Sequence, residues 1–337
     1  MQPIVSIITP TYNHEKYIIA CIKSVQNQTF KHWEMIIVND GSTDKTQVLI
    51  EDYIKNDPRI RLFNQENIGV FRLGESYNFA LSKSVGKYIS ILEGDDLWEI
   101  DKLERQVAIF NENQNVILSW GQAQSINGDT EEVYNLHPII DKPDYFNNTP
   151  VGNILNLLYC ENCLPALTIT IRKDALVQVG GFLQKHNLPL VDLPTIMELS
   201  LLGEFHFDKH IYGKWRIYAN QVTKTFTIEI IKGRYETAKE HILKHPEVIN
   251  KQLSLTSKEF HTYFNNRIMT GYAMSGRYKL IRKEYKNARK DYYKSLFYKG
   301  FINPVWRLRA LVGVLFSFLH WDIESLAKLL GKKSYSR

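Results

Sequence analysis

The sequence predicts an α/β fold: a mostly parallel sheet flanked by helices, followed by a C-terminal helical extension. Three observations carry this. Residues 5–9 and 33–39 are apolar, β-branched runs that each stop at small polar residues, with the amphipathic stretch 15–26 between them. The same alternation of strand and helix patterns continues through residues 1–110. From residue 229 onward the pattern turns helical and stays so.

Strands are expected at 5–9, 33–39, 60–63 and 88–92, each rich in Ile, Val or aromatic residues, with helices at 15–26, 43–55 and 74–84 between them. Such alternation builds parallel strands covered on both faces. Residues 102–113 read as a helix leaving the acidic run Glu93-Gly94-Asp95-Asp96. Residues 115–225 are less regular. Within them 167–171 reads as a buried strand and Gly180-Gly181-Phe182 as a turn. Residues 194–202 read as a short helix with Pro194 in its first turn, where the missing N–H costs nothing. Further helices are expected at 259–274 and 275–296. The expected organisation is an α/β domain at 1–225, with halves 1–110 and 111–225, and a helical region at 226–337.

The apolar fraction, 44% of 337 residues, is enough for a sizeable core. Three cysteines do not make a disulfide framework and fit a reducing compartment. Cys160 and Cys163 form a C-x-x-C without a second pair or a histidine cluster, so they read as small buried hydrophobes. The first strand begins at once, with no leader pattern, and a cytoplasmic location is expected. No apolar run approaches the ~18 residues a bilayer span needs. The net charge of +6 is uneven: residues 281–337 hold 13 Lys+Arg against 4 Asp+Glu.

Thr9-Pro10-Thr11 and Asp40 close two neighbouring strands, and in an open parallel sheet that edge is where ligands bind. Asp40 precedes a Gly-Ser-Thr turn, so its carboxylate either caps the turn or accepts from a ligand. Glu93, Asp95 and Asp96 crowd negative charge at the end of a buried strand, which is repulsive unless a cation neutralises it. Hard carboxylate oxygens suit Mg2+ or Mn2+, which fills its remaining positions with phosphate oxygens and water. The plainer alternative is the acidic first turn favoured before helix 102–113. Taken together, these residues point to a nucleoside diphosphate site with a metal.

The runs Ser6-Ile7-Ile8-Thr9-Pro10-Thr11-Tyr12-Asn13, Val38-Asn39-Asp40-Gly41-Ser42-Thr43-Asp44 and Glu93-Gly94-Asp95-Asp96, in this order, resemble the family 2 glycosyltransferases of GT-A (Rossmann-like) architecture. The resemblance covers residues 3–225. Leu97-Trp98, Lys102-Leu103 and Gln106 after the acidic run are similar to the branch whose metal motif begins with Glu. The resemblance implies an inverting, Mn2+- or Mg2+-dependent hexosyl- or N-acetylhexosaminyl-transferase. Its donor would be a nucleoside diphosphate sugar, UDP-linked, and its acceptor a hydroxyl of a glycan or lipid-linked acceptor in bacterial surface polysaccharide synthesis.

On this resemblance Thr9 and Pro10 line the nucleobase pocket, Asp40 accepts from the base edge, and Asn67 and Gly69 match an N-x-G that borders the nucleotide. Asp95 holds the metal, with Glu93 and Asp96 beside it on ribose and sugar hydroxyls or metal-bound water. Tyr77 stands where an Arg often precedes the Asn matched by Asn78. A sugar hydroxyl needs a base to attack at neutral pH. The family places that acid after a G-G-F turn and before a helix; here Asp192 holds the position, in Val191-Asp192 rather than Glu-Asp. Asp192 also suits a helix cap, and the two roles are compatible. Arg216 fits a phosphate clamp, with Tyr218 replacing the His of the usual Arg-x-His.

Residues 303–330 are rich in Val, Leu, Phe and Trp, with Arg307 and Arg309 early and Lys332 and Lys333 just beyond. Such a helix either lies in an anionic membrane interface, at the cytoplasmic face, or packs on protein, a second copy of the chain included. Nucleic acid is not an expected partner, because no binding motif accompanies the basic residues. A non-catalytic sugar-nucleotide-binding or scaffold protein is the competing class. Tyr77 and Tyr218 lean towards it, while Asp40, Asp95 and Asp192 lean against. A dinucleotide oxidoreductase is excluded, since no G-x-G-x-x-G follows the first strand.

Overall fold

The computed structural model describes residues 2–139, 146–160, 164–185, 188–218, 220–247, 256–299 and 303–321. Cys163 and the tail from residue 322 lie outside them. The described chain divides into two compact units. One comprises 1–126, 133–186 and 190–216; the other comprises 127–132, 187–189 and 217–337.

The first unit is a mixed α/β sheet of GT-A type with flanking helices. Strands β1 (Val5–Thr11), β2 (Trp33–Asp40), β3 (Ile60–Gln65) and β4 (Tyr88–Ile91) alternate with helices α1 (Ile18–Gln26), α2 (Thr46–Tyr53) and α3 (Leu73–Lys83). They pair in parallel in the order β3-β2-β1-β4. The register places Thr11 opposite Asn39 and Asp40 opposite Gln65, so the polar ends of three strands share one edge. Helix α1 turns Ile18, Cys21, Ile22 and Val25 inward at helical spacing. Each buried aliphatic side chain contributes about 1.5–3 kcal/mol.

Parallel pairing stops at β4. Beyond it lie β5 (Leu97–Trp98), α4 (Lys102–Glu112), β6 (Val116–Asn127), β7 (Val133–His137), α5 (Leu155–Leu158), β8 (Thr170–Arg172), α6 (Lys173–Gln178), α7 (Asp192–Leu199) and β9 (Glu204–Ile217). The sheet continues as β8-β6-β9-β5, with β7 on β6. The pairs β4–β8, β6–β8, β6–β7 and β5–β9 are antiparallel. A parallel neighbour needs a long crossover, whereas β6 passes into β7 through a short turn. The described residues within 115–225 are therefore more regular than the sequence pattern indicates, and 167–171 is a 3-10 turn leading into the short β8.

A buried lysine ties α4 to this sheet. Lys102 is fully buried and its Nζ donates to Ser90 Oγ at 2.7 Å, Gln106 Oε1 at 2.7 Å and Thr170 Oγ1 at 3.1 Å. The Trp98 ring lies 4.1 Å away. Burial pushes the Lys102 pKa well below the usual lysine range. The three oxygens and the ring face replace part of the lost hydration.

The second unit holds α8 (Val222–Thr225), α9 (Thr227–Lys244), α10 (Ser257–Ile281), α11 (Tyr285–Leu296) and α12 (Pro304–Leu319). Thr256 and Glu259 form a capping box at the start of α10. One helix runs to Ile281, where the sequence pattern suggests a break near 275. Gly276 does not end it; a side chain there would meet the Tyr292 ring at 2.9 Å, and one at Gly313 would overlap the same ring. Both glycines let α10 and α12 close on α11.

Candidate functional site

The loops after β1 and β2 are laced together. Asn13, at φ 54, donates its N–H to Ser42 Oγ at 2.9 Å and accepts from Thr43 N–H through Oδ1 at 2.8 Å. Glu15 N–H donates to Asp44, and Lys45 N–H donates to Glu15.

Asp40 ends β2 as a buried carboxylate. Oδ1 accepts from Gln65 Nε2 at 2.7 Å and Ile68 N–H at 2.9 Å, and Oδ2 from Gly69 N–H at 3.2 Å. Asn67 Nδ2 donates to the Asp40 carbonyl at 2.9 Å. Asp40, Asn67 and Gly69 thus meet, with Asp40 holding the 65–69 loop. Gly69 has φ 78, a conformation that favours glycine. Thr9 is fully buried on β1, and its Oγ1 has no hydrogen-bond partner among the described residues. Pro10 is buried beside it; its carbonyl accepts from Gly94 N–H at 3.1 Å, which docks the acidic loop on β1.

The second cluster follows β4. Among the described residues, Glu93, Asp95 and Asp96 bring their carboxylate oxygens within 4.8 Å of one another. Asp95 and Asp96 are buried and Glu93 partly so. A Cβ on Gly94 would lie 2.5 Å from Thr11 Oγ1 and 2.9 Å from His14 Nδ1, so any larger residue there would push Thr11 or His14 out of place. His14 links the two walls: Nδ1 lies 3.1 Å from Thr11 Oγ1 and Nε2 4.0 Å from Asp95 Oδ2. Asp96 Oδ1 accepts from Arg216 N–H at 2.9 Å, placing the end of β9 at the same loop. The Arg216 guanidinium lies 5.1 Å from the Tyr17 ring.

The electrostatics follow from this crowding. Burial, then Asp95, then Asp192, push the Glu93 carboxyl up to about 7, against the Tyr77 hydrogen bond. Burial, Asp95 and Glu93 push Asp96 well above the usual carboxylate range. Cys21, whose Sγ donates to the Glu93 carbonyl at 3.5 Å, has its thiol pushed up by burial and by Asp96 and Asp95. Three hard carboxylates that repel one another when ionised form a donor set that fits Mg2+ or Mn2+.

Tyr77 OH donates to Glu93 Oε1 at 2.8 Å, and its ring packs on Phe182 at 4.9 Å. Asn78 pairs twice with the Phe182 backbone: Nδ2 donates to its carbonyl and Oδ1 accepts its N–H, both at 2.8 Å. Gln184 accepts from Gly74 N–H and donates to the Val70 carbonyl. The Gly180-Gly181-Phe182 turn is thereby fastened to α3. Leu183 N–H donates to Thr195 Oγ1, which carries the segment to α7, whose first residue is Asp192. Asp192 lies near enough for its charge to act on both Glu93 and Tyr77.

Most of the sequence-predicted residues therefore collect in two clusters: Asp40, Asn67 and Gly69 in one; Thr11, Glu93, Asp95, Asp96 and Arg216 in the other, with Asp192 beside it; Thr9 stays buried within β1, and Pro10 meets the second cluster only through its carbonyl. Sequence reasoning missed His14 and the Tyr77 hydroxyl. The available signals were a histidine just past the end of the first strand, and a phenol where the family pattern has an arginine.

Comparison with known proteins bears on this geometry. The family model described as glycosyl transferase family 2 matches residues 6–163. An uncharacterized glycosyltransferase of Rickettsia typhi is 37% identical over 226 residues, 66% of this chain and 67% of that protein. TuaG of Bacillus subtilis, a glycosyltransferase assigned to teichuronic acid biosynthesis, is 43% identical over 112 residues, 33% of this chain. The chain spans less than half the length of the first curated relatives it matches, 43% in the case of TuaG. Among solved structures, Staphylococcus aureus TarS 1–349 in complex with UDP aligns with a TM-score of 0.54 at 17% identity, over 98% of this chain and 92% of that one. The mannosyltransferase PcManGT of Pyrobaculum calidifontis, in complex with GDP-Man and Mn2+, aligns with a TM-score of 0.52 at 14% identity, over 99% and 89%. At these identities the structures show the fold alone.

Proposed function

The chain belongs to glycosyl transferase family 2, and from that premise we propose that it is an inverting, metal-dependent transferase. It moves a hexosyl or N-acetylhexosaminyl group from a UDP-linked donor to a hydroxyl of a glycan or lipid-linked acceptor. The carrying observation is the convergence of Glu93, Asp95 and Asp96, with Asp192 close enough to perturb Glu93. Residues 1–225 form the catalytic domain in this reading. Bacterial surface polysaccharide synthesis is its setting, in keeping with TuaG, at the cytoplasmic face of the membrane. No helix among the described residues is long and apolar enough to cross a bilayer.

Asp95, with Glu93 and Asp96, would hold Mn2+ or Mg2+, which when bound supplies positive charge for the departing diphosphate. The protein's own residues do the rest. Thr9, Pro10, Thr11 and the Asp40–Asn67–Gly69 loop frame the nucleoside, and Arg216 pairs with phosphate oxygens. Tyr77 holds Glu93 in one orientation beside the sugar hydroxyls. Asp192 accepts the proton of the acceptor hydroxyl as its oxygen attacks the anomeric carbon from the face opposite the diphosphate, and inversion results.

A thermal-shift series with nucleoside diphosphates and Mn2+ tests this reading, because a bound ligand raises stability by mass action. Uridine diphosphate with Mn2+ is expected to stabilise more than guanosine diphosphate, with most of the shift lost in chelator. Equal shifts in chelator would refute the metal, and no shift with any nucleotide would refute the site.

A further inference from the structure

Helix α12 is apolar on two sides. Ala310, Gly313, Val314 and Phe316 face inward, in a core shared with α10 and α11. On the outside Val305, Leu308, Leu311, Leu315, Phe318 and Leu319 are 45–61% exposed. At 3.6 residues per turn these six occupy an arc of roughly 140° along a helix roughly 24 Å long. Cations rim the arc. The Arg289 guanidinium lies 3.7 Å from the Phe318 ring centroid, and that of Arg309 4.8 Å from the Trp306 ring centroid. Lys286, Lys290 and Lys294 add exposed positive charge on α11, where Lys294 lies 5.2 Å from the Tyr272 ring of α10. Helix α12 contains no acidic residue. Of the two acids between 281 and 321, Asp291 is buried against Lys279 and Glu284 is paired with Arg282.

We infer that the exposed face of α12 is an anchor for an anionic bilayer surface, which it enters lying flat with Arg289 and Arg309 at the level of the lipid phosphates. The charge pattern selects this occupant. A two-fold pairing of α12 with a second copy would set cationic rims against each other, whereas an anionic leaflet supplies both the opposite charge and an apolar layer. The face is apolar for its whole length with no acidic residue to repel phosphate, a pattern that fits insertion to the acyl boundary. The inference deepens the membrane-face part of the proposed function and rests on that part alone.

The test is flotation of the full chain with vesicles of phosphatidylcholine alone or mixed with phosphatidylglycerol, in chelator and without sugar nucleotide. Nucleotide binding is measured separately without vesicles, so either reading can fail by itself. Binding is expected only with phosphatidylglycerol, and to weaken as salt screens the charges. Leu311→Glu with Leu315→Glu should abolish it while helicity, melting and nucleotide binding match the parent. Arg289→Gln with Arg309→Gln should weaken it about 25-fold, near fivefold per charge. Equal binding to both vesicles, or none, would overturn the inference. So would a sedimentation dimer that the leucine substitutions dissociate in a protein that ignores vesicles. Should those substitutions unfold the protein, the arginine pair and the salt dependence still decide.

Discussion

Without a divalent cation, the acidic cluster makes the protein less stable as pH rises. Glu93 ionises at 4.5 in an unfolded chain and at about 7 in the folded one. Between those values the folded state holds a proton that the unfolded state has released, so unfolding becomes easier as pH increases. A gap of about 2.5 units at 1.36 kcal/mol each is on the order of 3 kcal/mol, and the raised Asp96 acts in the same direction. Carboxylates such as Asp57, held down at about 2 chiefly by Arg59, change stability only at lower pH. Burial lowers the His137 pKa, which gives an opposing rise in stability up to about its usual 6.5. The difference between the parent and Glu93→Gln isolates the cluster. Urea denaturation in chelator at closely spaced pH values is the assay. The parent should lose stability from pH 4.5 to about 7 relative to the variant, and Mn2+ should restore it most at the upper end. A parent curve that runs parallel to the variant, or a Mn2+ effect equal at both ends, would refute the reasoning.

Three further substitutions probe the site. Asp192→Asn is expected to lower kcat by about 10²–10⁴-fold while the stabilisation by nucleotide and Mn2+ is kept; loss of that stabilisation would move Asp192 from base to donor binding. Asn78→Ala removes both hydrogen bonds to Phe182 and should cost about 1–3 kcal/mol in urea denaturation, with kcat reduced because Asp192 rides on the released segment; unchanged stability would contradict the fastening role. Gly94→Ala drives a methyl into Thr11 and His14. It should cost about 1–3 kcal/mol and weaken Mn2+ binding in titration, and an unaltered Mn2+ affinity would contradict the close packing.

What the sequence made legible follows from where its signals are local. Strands β1 to β4 are short runs rich in Ile, Val or aromatic residues, and each appears within about two residues of its expected bounds. Strand β9 buries Phe205 and Phe207 two apart but then Tyr212, Gly213 and Arg216, so no period of two runs through its 14 residues and the stretch reads as irregular. Strand β6 buries Ser119, Gln122 and Ser125, so its apolar run ends long before the strand does. Gln106, which donates to the Ser119 carbonyl, shows how tertiary partners rather than pattern satisfy those groups. The carboxylates of the site were legible because charge after a buried strand needs an explanation. Tyr77 was visible only as a departure from the family pattern, since nothing local says that its hydroxyl reaches Glu93, 16 residues on. His14 was hidden for the same reason: its partner Asp95 comes from the loop after β4, far along the chain.

The most direct measurement of the central claim is release of nucleoside diphosphate from a panel of sugar nucleotides, with Mn2+, with chelator, and in Asp95→Ala. The account predicts release from at least one donor with Mn2+, its loss in chelator, and a decrease of about 100-fold or more in the variant. Release that continues unchanged in chelator and in Asp95→Ala would contradict it.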